Sequence, residues 1–194
     1  MMRIPKRYWN SKLAKVSDEN VKRYVGKYVA EIHDMLDEGV GLLLSGYNGT
    51  GKTSIACYIG KRARMVGATV VFTTAAALME SLLDRDDEDI IHKAKSYDLL
   101  ILDDLGKEHR GQSAWSENTL ESLFRHRNGE KLSTIITTNL IVDVEGGKNL
   151  LREEYKTSLV ETMREMCYPI YVSGENMRDE SSSRISKIFE REEE

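Results

Sequence analysis

One stretch of eight residues, Gly46-Tyr47-Asn48-Gly49-Thr50-Gly51-Lys52-Thr53, restricts this chain more than anything else in it. The spacing Gly-x-x-x-x-Gly-Lys-Thr is that of loops that wrap a phosphate group. Glycines at 46, 49 and 51 let the backbone approach closely enough for successive amide N–H groups to point inward at an anion. Lys52 brings positive charge to the outer phosphates of a nucleotide, and Thr53 offers a hydroxyl suited to magnesium. A helix starting at this point also favours negative charge at its amino end. Gly46, Tyr47, Asn48, Gly49, Thr50, Gly51, Lys52 and Thr53, with Ser54 beside them, are the candidate ATP-binding residues, and Mg2+ is the candidate metal.

Such a loop carries meaning only between a strand and a helix, and both are legible. Residues 40–45, Val-Gly-Leu-Leu-Leu-Ser, form a short apolar run of the kind found in a parallel strand covered on both faces. Residues 52–66 place Ile55, Ile59, Ala63 and Val66 on one side of a helix that Gly67 stops. The rest of the chain keeps alternating. An amphipathic helix runs from Val21 to near Gly39, and strands are expected at 68–73, 97–102, 133–138 and 169–172. Helices are expected at 77–83 and 88–95, joined by an acidic turn, then around Leu120, Leu123 and Phe124, then at 149–166. Strands alternating with helices call for a three-layer αβα sandwich around a parallel sheet, with ligands beyond the carboxyl ends of the strands.

Chemistry gathers at those ends. The apolar run Leu99-Leu100-Ile101-Leu102 leads straight into Asp103-Asp104. Asp103 suits magnesium, opposite the Thr53 hydroxyl, and Asp104 is positioned to orient or deprotonate an attacking water. Asn139, at the tip of the fourth strand, would bring an amide near the γ-phosphate, although asparagine there is also a common turn former. Lys52, Asp104 and Asn139 are thus the candidate catalytic residues, and Thr53 and Asp103 the candidate metal ligands. A phosphate loop alone would also fit a small-molecule kinase, but the chain shows no arginine-rich lid, and the strand-end residues suit attack by water.

The remaining composition sets limits. Twenty-eight Lys and Arg against 32 Asp and Glu give a net charge of −4, so any nucleic-acid contact must come from a local basic patch. Tyr8 and Trp9 beside Lys6 and Arg7 could stack a base or clamp the core. The two cysteines, Cys57 and Cys167, suit a reducing cytoplasm, and apolar runs of five or six residues are too short to span a membrane. His33, His92, His109 and His126 share no metal-binding spacing.

With Leu99-Leu100-Ile101-Leu102-Asp103-Asp104-Leu105-Gly106 and Thr137-Thr138-Asn139-Leu140 added to the loop, the chain resembles the AAA+ ATPases of the DnaC, DnaI and IstB group, which are helicase loaders and transposition helpers. Ser173-Gly174-Glu175-Asn176-Met177-Arg178 is similar to that group's closing segment. The resemblance implies a P-loop NTPase fold with a five-stranded sheet in the order 5-1-4-3-2 and little or no helical lid domain. It implies a division into an N-terminal extension and helix at 1–39, an ATPase domain at 40–178 and a charged tail at 179–194. It casts Lys52 and Thr53 as Walker A residues, Asp103 and Asp104 as the Walker B pair, and Asn139 as the γ-phosphate sensor. ATP hydrolysis follows from it. So do self-association or a helicase or transposase partner, and single-stranded or duplex DNA; the helical insertion from Ala77 to Lys95 resembles the element with which initiator-type AAA+ proteins grip single-stranded DNA. The group's loaders usually carry a separate amino-terminal domain, for which about 40 residues are too few. Where the group has an arginine finger this chain has Ser158, which leaves Arg164, Arg127 and Arg152 as candidate trans-acting arginines.

Overall fold

A computed structural model of the chain describes residues 4–83, 88–107, 113–143 and 148–174. Its chain order is α1 (Glu19–Ala30), α2 (Ile32–Asp37), β1 (Gly41–Ser45), α3 (Lys52–Met65), β2 (Val70–Thr74), α4 (Ala75–Leu83), α5 (Glu88–Ser96), β3 (Leu99–Leu105), α6 (Ser113–Gly129), β4 (Ser133–Thr138), β5 (Val142–Asp143), β6 (Lys148–Asn149), α7 (Leu151–Glu154), α8 (Thr157–Met166) and β7 (Cys167–Tyr171), with short 3-10 helices at Lys6–Tyr8 and Leu13–Lys15 before them. Five strands pair in parallel in the order β2-β3-β4-β1-β7. Read from the other edge, this is the expected order 5-1-4-3-2, with β7 as the fifth strand.

Two apolar layers hold the sheet. On one face α1 and α3 pack Val21, Val25, Ile55 and Ile59 against Leu42, Leu44, Ile101 and Ile135. On the other, α4, α6 and α8 pack Leu78, Phe124 and Met163 against Leu43, Leu100 and Ile136. Consecutive strand residues face opposite layers, and β1, β3 and β4 are almost wholly buried, their apolar side chains filling both layers while hydrogen bonds hold the buried Ser and Thr hydroxyls and Asp103. α1 begins on the Asp18 carboxylate, which accepts from the N–H groups of Asn20 at 2.9 Å and Val21 at 3.1 Å, a cap worth about 1 kcal/mol.

Three expectations need correction. The single helix to Gly39 is two, broken at Glu31, and the break turns the chain so that Val40 meets the Tyr28 hydroxyl, which donates to its carbonyl at 2.7 Å. The helix over 149–166 is also two, preceded by the hairpin β5–β6. At its break Lys156 is extended, and its N–H donates to the Glu117 carboxylate of α6 at 3.2 Å, so a partner distant in sequence satisfies the interrupted backbone. β3 runs three residues past Leu102, through a one-residue bulge. Leu102 pairs with Ile136 but Leu105 pairs with Thr138, so the two aspartates lie within the strand's last turn of pleat rather than beyond it. The acidic turn at 84–87, the end of the segment at 175–178, the charged tail and His109 lie outside the described residues. Among the described residues, no helix is long and apolar enough to cross a membrane.

Candidate functional site

The phosphate loop links the buried carboxyl end of β1 to the first turn of α3. Gly46 has φ 142°, and a Cβ there would stand 2.4 Å from the Val172 carbonyl, so only glycine lets the loop leave the sheet at this point. Gly51 is the amino-terminal cap of α3 with φ 92°, which turns the chain into a helix whose amino end favours an anion. Thr50 Oγ1 donates to the Tyr47 carbonyl at 3.0 Å, bracing the loop from inside. The buried Lys52 ammonium lies over the loop and donates to the carbonyls of Gly46 at 2.8 Å and Tyr47 at 2.7 Å. Ser54 is engaged with Ser11, their hydroxyls 3.1 Å apart, so the segment before α1 lies against the start of α3.

Facing the loop, β3 delivers the acid pair. Thr53 Oγ1 donates to Asp103 Oδ1 at 2.8 Å, and Thr137 Oγ1 donates to the same oxygen at 2.5 Å. Burial pushes the Asp103 carboxyl above its ordinary value, the two hydroxyls pull it back, and Asp104 next door pushes it up again. A buried carboxylate oxygen and a threonine hydroxyl within hydrogen-bond reach are a donor set that fits Mg2+, which favours hard oxygen ligands and binds to proteins through one or two carboxylates plus phosphate oxygens. Asp104 adopts φ 59°, rare for a residue with a side chain. The bulge sets this conformation, which turns the half-exposed carboxylate out of the sheet, where the Lys107 ammonium stands 3.0 Å away.

Thr137 was not legible as a site residue, yet its hydroxyl serves both acids, donating to Asp103 and accepting from the Asp104 N–H at 3.0 Å. Its signal lay in the polar pair Thr137-Thr138 ending a strand that is buried throughout. Asn139 follows immediately, and because β4 lies between β1 and β3, it emerges between the phosphate loop and the acids. Hydroxyls hold both sides of this segment. Thr138 Oγ1 donates to the Leu105 carbonyl at 2.8 Å and accepts from Leu140, while Ser45 Oγ donates to the Val142 carbonyl at 3.0 Å and accepts from its N–H at 3.2 Å. Ser45 is the residue just before the loop. Ser45→Ala would leave two buried backbone groups without partners and is expected to cost about 1–3 kcal/mol, read from urea unfolding.

The candidate arginines separate clearly. Arg127 is 0% exposed, and its guanidinium donates to Thr134 Oγ1 and to the carbonyls of Ala94, Tyr97, Asp98 and Ser133 at 2.5–3.5 Å. A side chain enclosed by its own fold cannot reach a neighbouring subunit, so Arg127 is withdrawn as a trans-acting arginine. Arg152 and Arg164 are exposed, and each pairs with Glu161, at 2.9 and 3.2 Å. Ser158 donates to Glu121 at 2.9 Å.

The family model described as IstB-like ATP binding protein matches residues 24–185. The chain belongs to the IstB-like ATP-binding family. Proteins similar to it include the replicative helicase loader DnaC of Buchnera aphidicola, 27% identical over 74% of this chain and 58% of the relative. The replicative helicase loader DnaI of Bacillus subtilis is 27% identical over 73% of this chain and 48% of its own length, and the protein YdaV of Escherichia coli is 31% identical over 68% and 54%. The chain therefore spans about half the length of these relatives. Among solved structures, a DnaC helicase loader superposes with TM-score 0.71 at 25% identity, over 87% of this chain and 100% of that one. A DnaI structure does so with TM-score 0.70 at 23% identity, over 91% and 95%. The fold is thus the P-loop NTPase fold seen in the DnaC and DnaI structures, and the chain is an ATP-binding AAA+ protein.

Proposed function

We propose that this chain hydrolyses ATP as a DnaC-like AAA+ protein in the cytoplasm, acting in DNA replication, through helicase loading or replisome remodelling, or in transposition. Residues 40–178 are its ATPase domain, 1–39 an extension packed on it and 179–194 a charged tail. Its partners are further copies of itself, or a helicase or transposase, together with single-stranded or duplex DNA. The observation that carries the reading is the single buried oxygen, Asp103 Oδ1, on which the phosphate-loop Thr53 and the β4 Thr137 converge. That convergence joins the three strands whose ends bear the loop, the acid pair and Asn139, as hydrolysis requires. Magnesium held there with ATP would neutralise the phosphate charge. Asp103 and Thr53 would hold it, Lys52 would meet the outer phosphates once drawn off the loop carbonyls, Asp104 would orient the water or take its proton, and Asn139 would read the γ-phosphate.

Asp104→Asn is expected to retain ATP binding and lose turnover by roughly 100-fold or more, measured as phosphate release under saturating ATP. Normal turnover by that variant would remove hydrolysis at this site from the reading.

A second reading, a slow nucleotide-gated clamp, is favoured by one observation. Ser158 stands where the finger is expected and is tied to Glu121, and Arg127 is buried. Arg152 and Arg164 are then the arginines left to act across an interface. Turnover measured with and without single-stranded DNA separates the readings, because a large stimulation excludes the passive clamp.

A further inference from the structure

Charge in this chain is segregated more strongly than its balance of −4 suggests. The first 17 residues contain Arg3, Lys6, Arg7, Lys12 and Lys15 and no acid, and α3 contains Lys52, Lys61, Arg62 and Arg64 and no acid. The fold sets these two segments side by side. Lys61 of α3 donates to the carbonyls of Trp9 at 2.9 Å and Ser11 at 2.8 Å, and Ser11 meets Ser54 one helical stretch earlier. Lys12 is close enough to Lys61 to act on its ammonium, and Arg7 and Lys61 both act on the Cys57 thiol, opposite in sign to Asp103. Lys6, Arg7, Lys12 and Arg62 are exposed around it.

An aromatic platform lies in the same place. Trp9 is 59% exposed, although its ring could have been buried, and its indole N–H is satisfied by the Ile4 carbonyl at 3.0 Å. That bond fixes the ring on the surface instead of leaving it to swing. Beside it the Arg7 guanidinium lies over the Tyr8 ring, 4.4 Å from its centroid. An exposed, oriented indole beside an Arg–Tyr pair, in which Arg7 also donates to the Tyr8 hydroxyl, amid lysines and arginines is the combination that holds single-stranded nucleic acid. Positive groups track the phosphates while bases stack on the rings. A purely acidic protein partner would use the charge but would not reward an exposed, fixed indole.

We propose that the surface formed by Lys6, Arg7, Trp9 and Lys12 with Lys61 and Arg62 of α3 is a binding site for single-stranded nucleic acid, distinct from the α4–α5 insertion. This rests on the reading of the chain as a DNA-associated ATPase, but not on hydrolysis, and the site sits on the outer side of the helix that follows the phosphate loop. Occupancy of the one is therefore able to bear on the other through α3 and the Ser11–Ser54 contact.

The test is fluorescence anisotropy of a labelled oligothymidylate on the full chain carrying Trp115→Phe, which leaves Trp9 as its one tryptophan, with that emission followed in parallel and ADP and magnesium held saturating. Expected are quenching of Trp9 on binding, a loss of affinity on the order of 10-fold for Trp9→Ala, and a fall in the salt slope of about one for Lys6→Gln or Lys12→Gln. Trp9→Phe loses the bond to Ile4 but keeps a ring, so near-normal binding by that variant marks stacking, whereas a loss equal to that of Trp9→Ala means a merely structural tryptophan and overturns the proposal. Oligothymidylate bound equally by all four variants would overturn the location while leaving DNA association intact. No binding by a chain that still turns over ATP would overturn the proposal and leave the ATPase standing. An acidic peptide that competes fully and quenches Trp9 as strongly would move the surface to a protein partner.

Discussion

Lys52→Ala is expected to abolish measurable ATP binding, with a loss of at least about 100-fold in affinity. The ammonium lies within the loop that wraps the phosphates, and a nucleotide draws it from the Gly46 and Tyr47 carbonyls to an anion. Alanine removes that charge and leaves two loop carbonyls without the donor seen here, so a modest loss of stability of about 1–2 kcal/mol accompanies the change. The effects separate in a thermal titration. ATP at 100 times its dissociation constant stabilises the native chain by about 2.7 kcal/mol. The variant should melt slightly lower and show no upward shift with ATP. A full shift would mean that the nucleotide sits elsewhere.

Arg127→Ala is the second large effect, and it falls on the fold. Four carbonyls from the end of α5, the start of β3 and the start of β4 turn toward one buried guanidinium, which burial holds at a pKa of about 10 and therefore charged at neutral pH. Removing it orphans those oxygens and opens a cavity between α6 and the sheet, at a cost of about 3–5 kcal/mol. Against a typical total of about 5–15 kcal/mol that is a large fraction, and for a chain this long it lowers the melting temperature by roughly 6–20 °C. Arg127→Lys should recover only part of the loss, because one ammonium cannot span the fork of acceptors. If Arg127→Ala melted normally while its ATP turnover collapsed, the residue would have returned to the catalytic account.

Much of this molecule is written locally. The phosphate loop is a matter of glycine conformation and one lysine at fixed spacing, so residues 46–53 announce themselves without a partner. β1 and the start of β3 are readable for a related reason, since a strand covered on both faces runs apolar without a break, and β4 lies at Ser133–Thr138 as expected although four of its six residues carry hydroxyls. What failed depended on distant residues. The break before α8 is invisible in its own periodicity because Glu117 of α6 satisfies it, and Tyr28 fixes where the chain turns after α1.

The sequence by itself determined the nucleotide loop, the acid pair and the alternating architecture, because each depends on residue type at short spacing. Tertiary structure decided the roles. It put Thr137 on both aspartates and Ser45 on the segment after Asn139, and it turned Arg127 from a candidate finger into a buried staple. Hydrogen bonds between residues 30 or more positions apart, and the burial of a charge, arise only when the strands are ordered in space. No local pattern carries them.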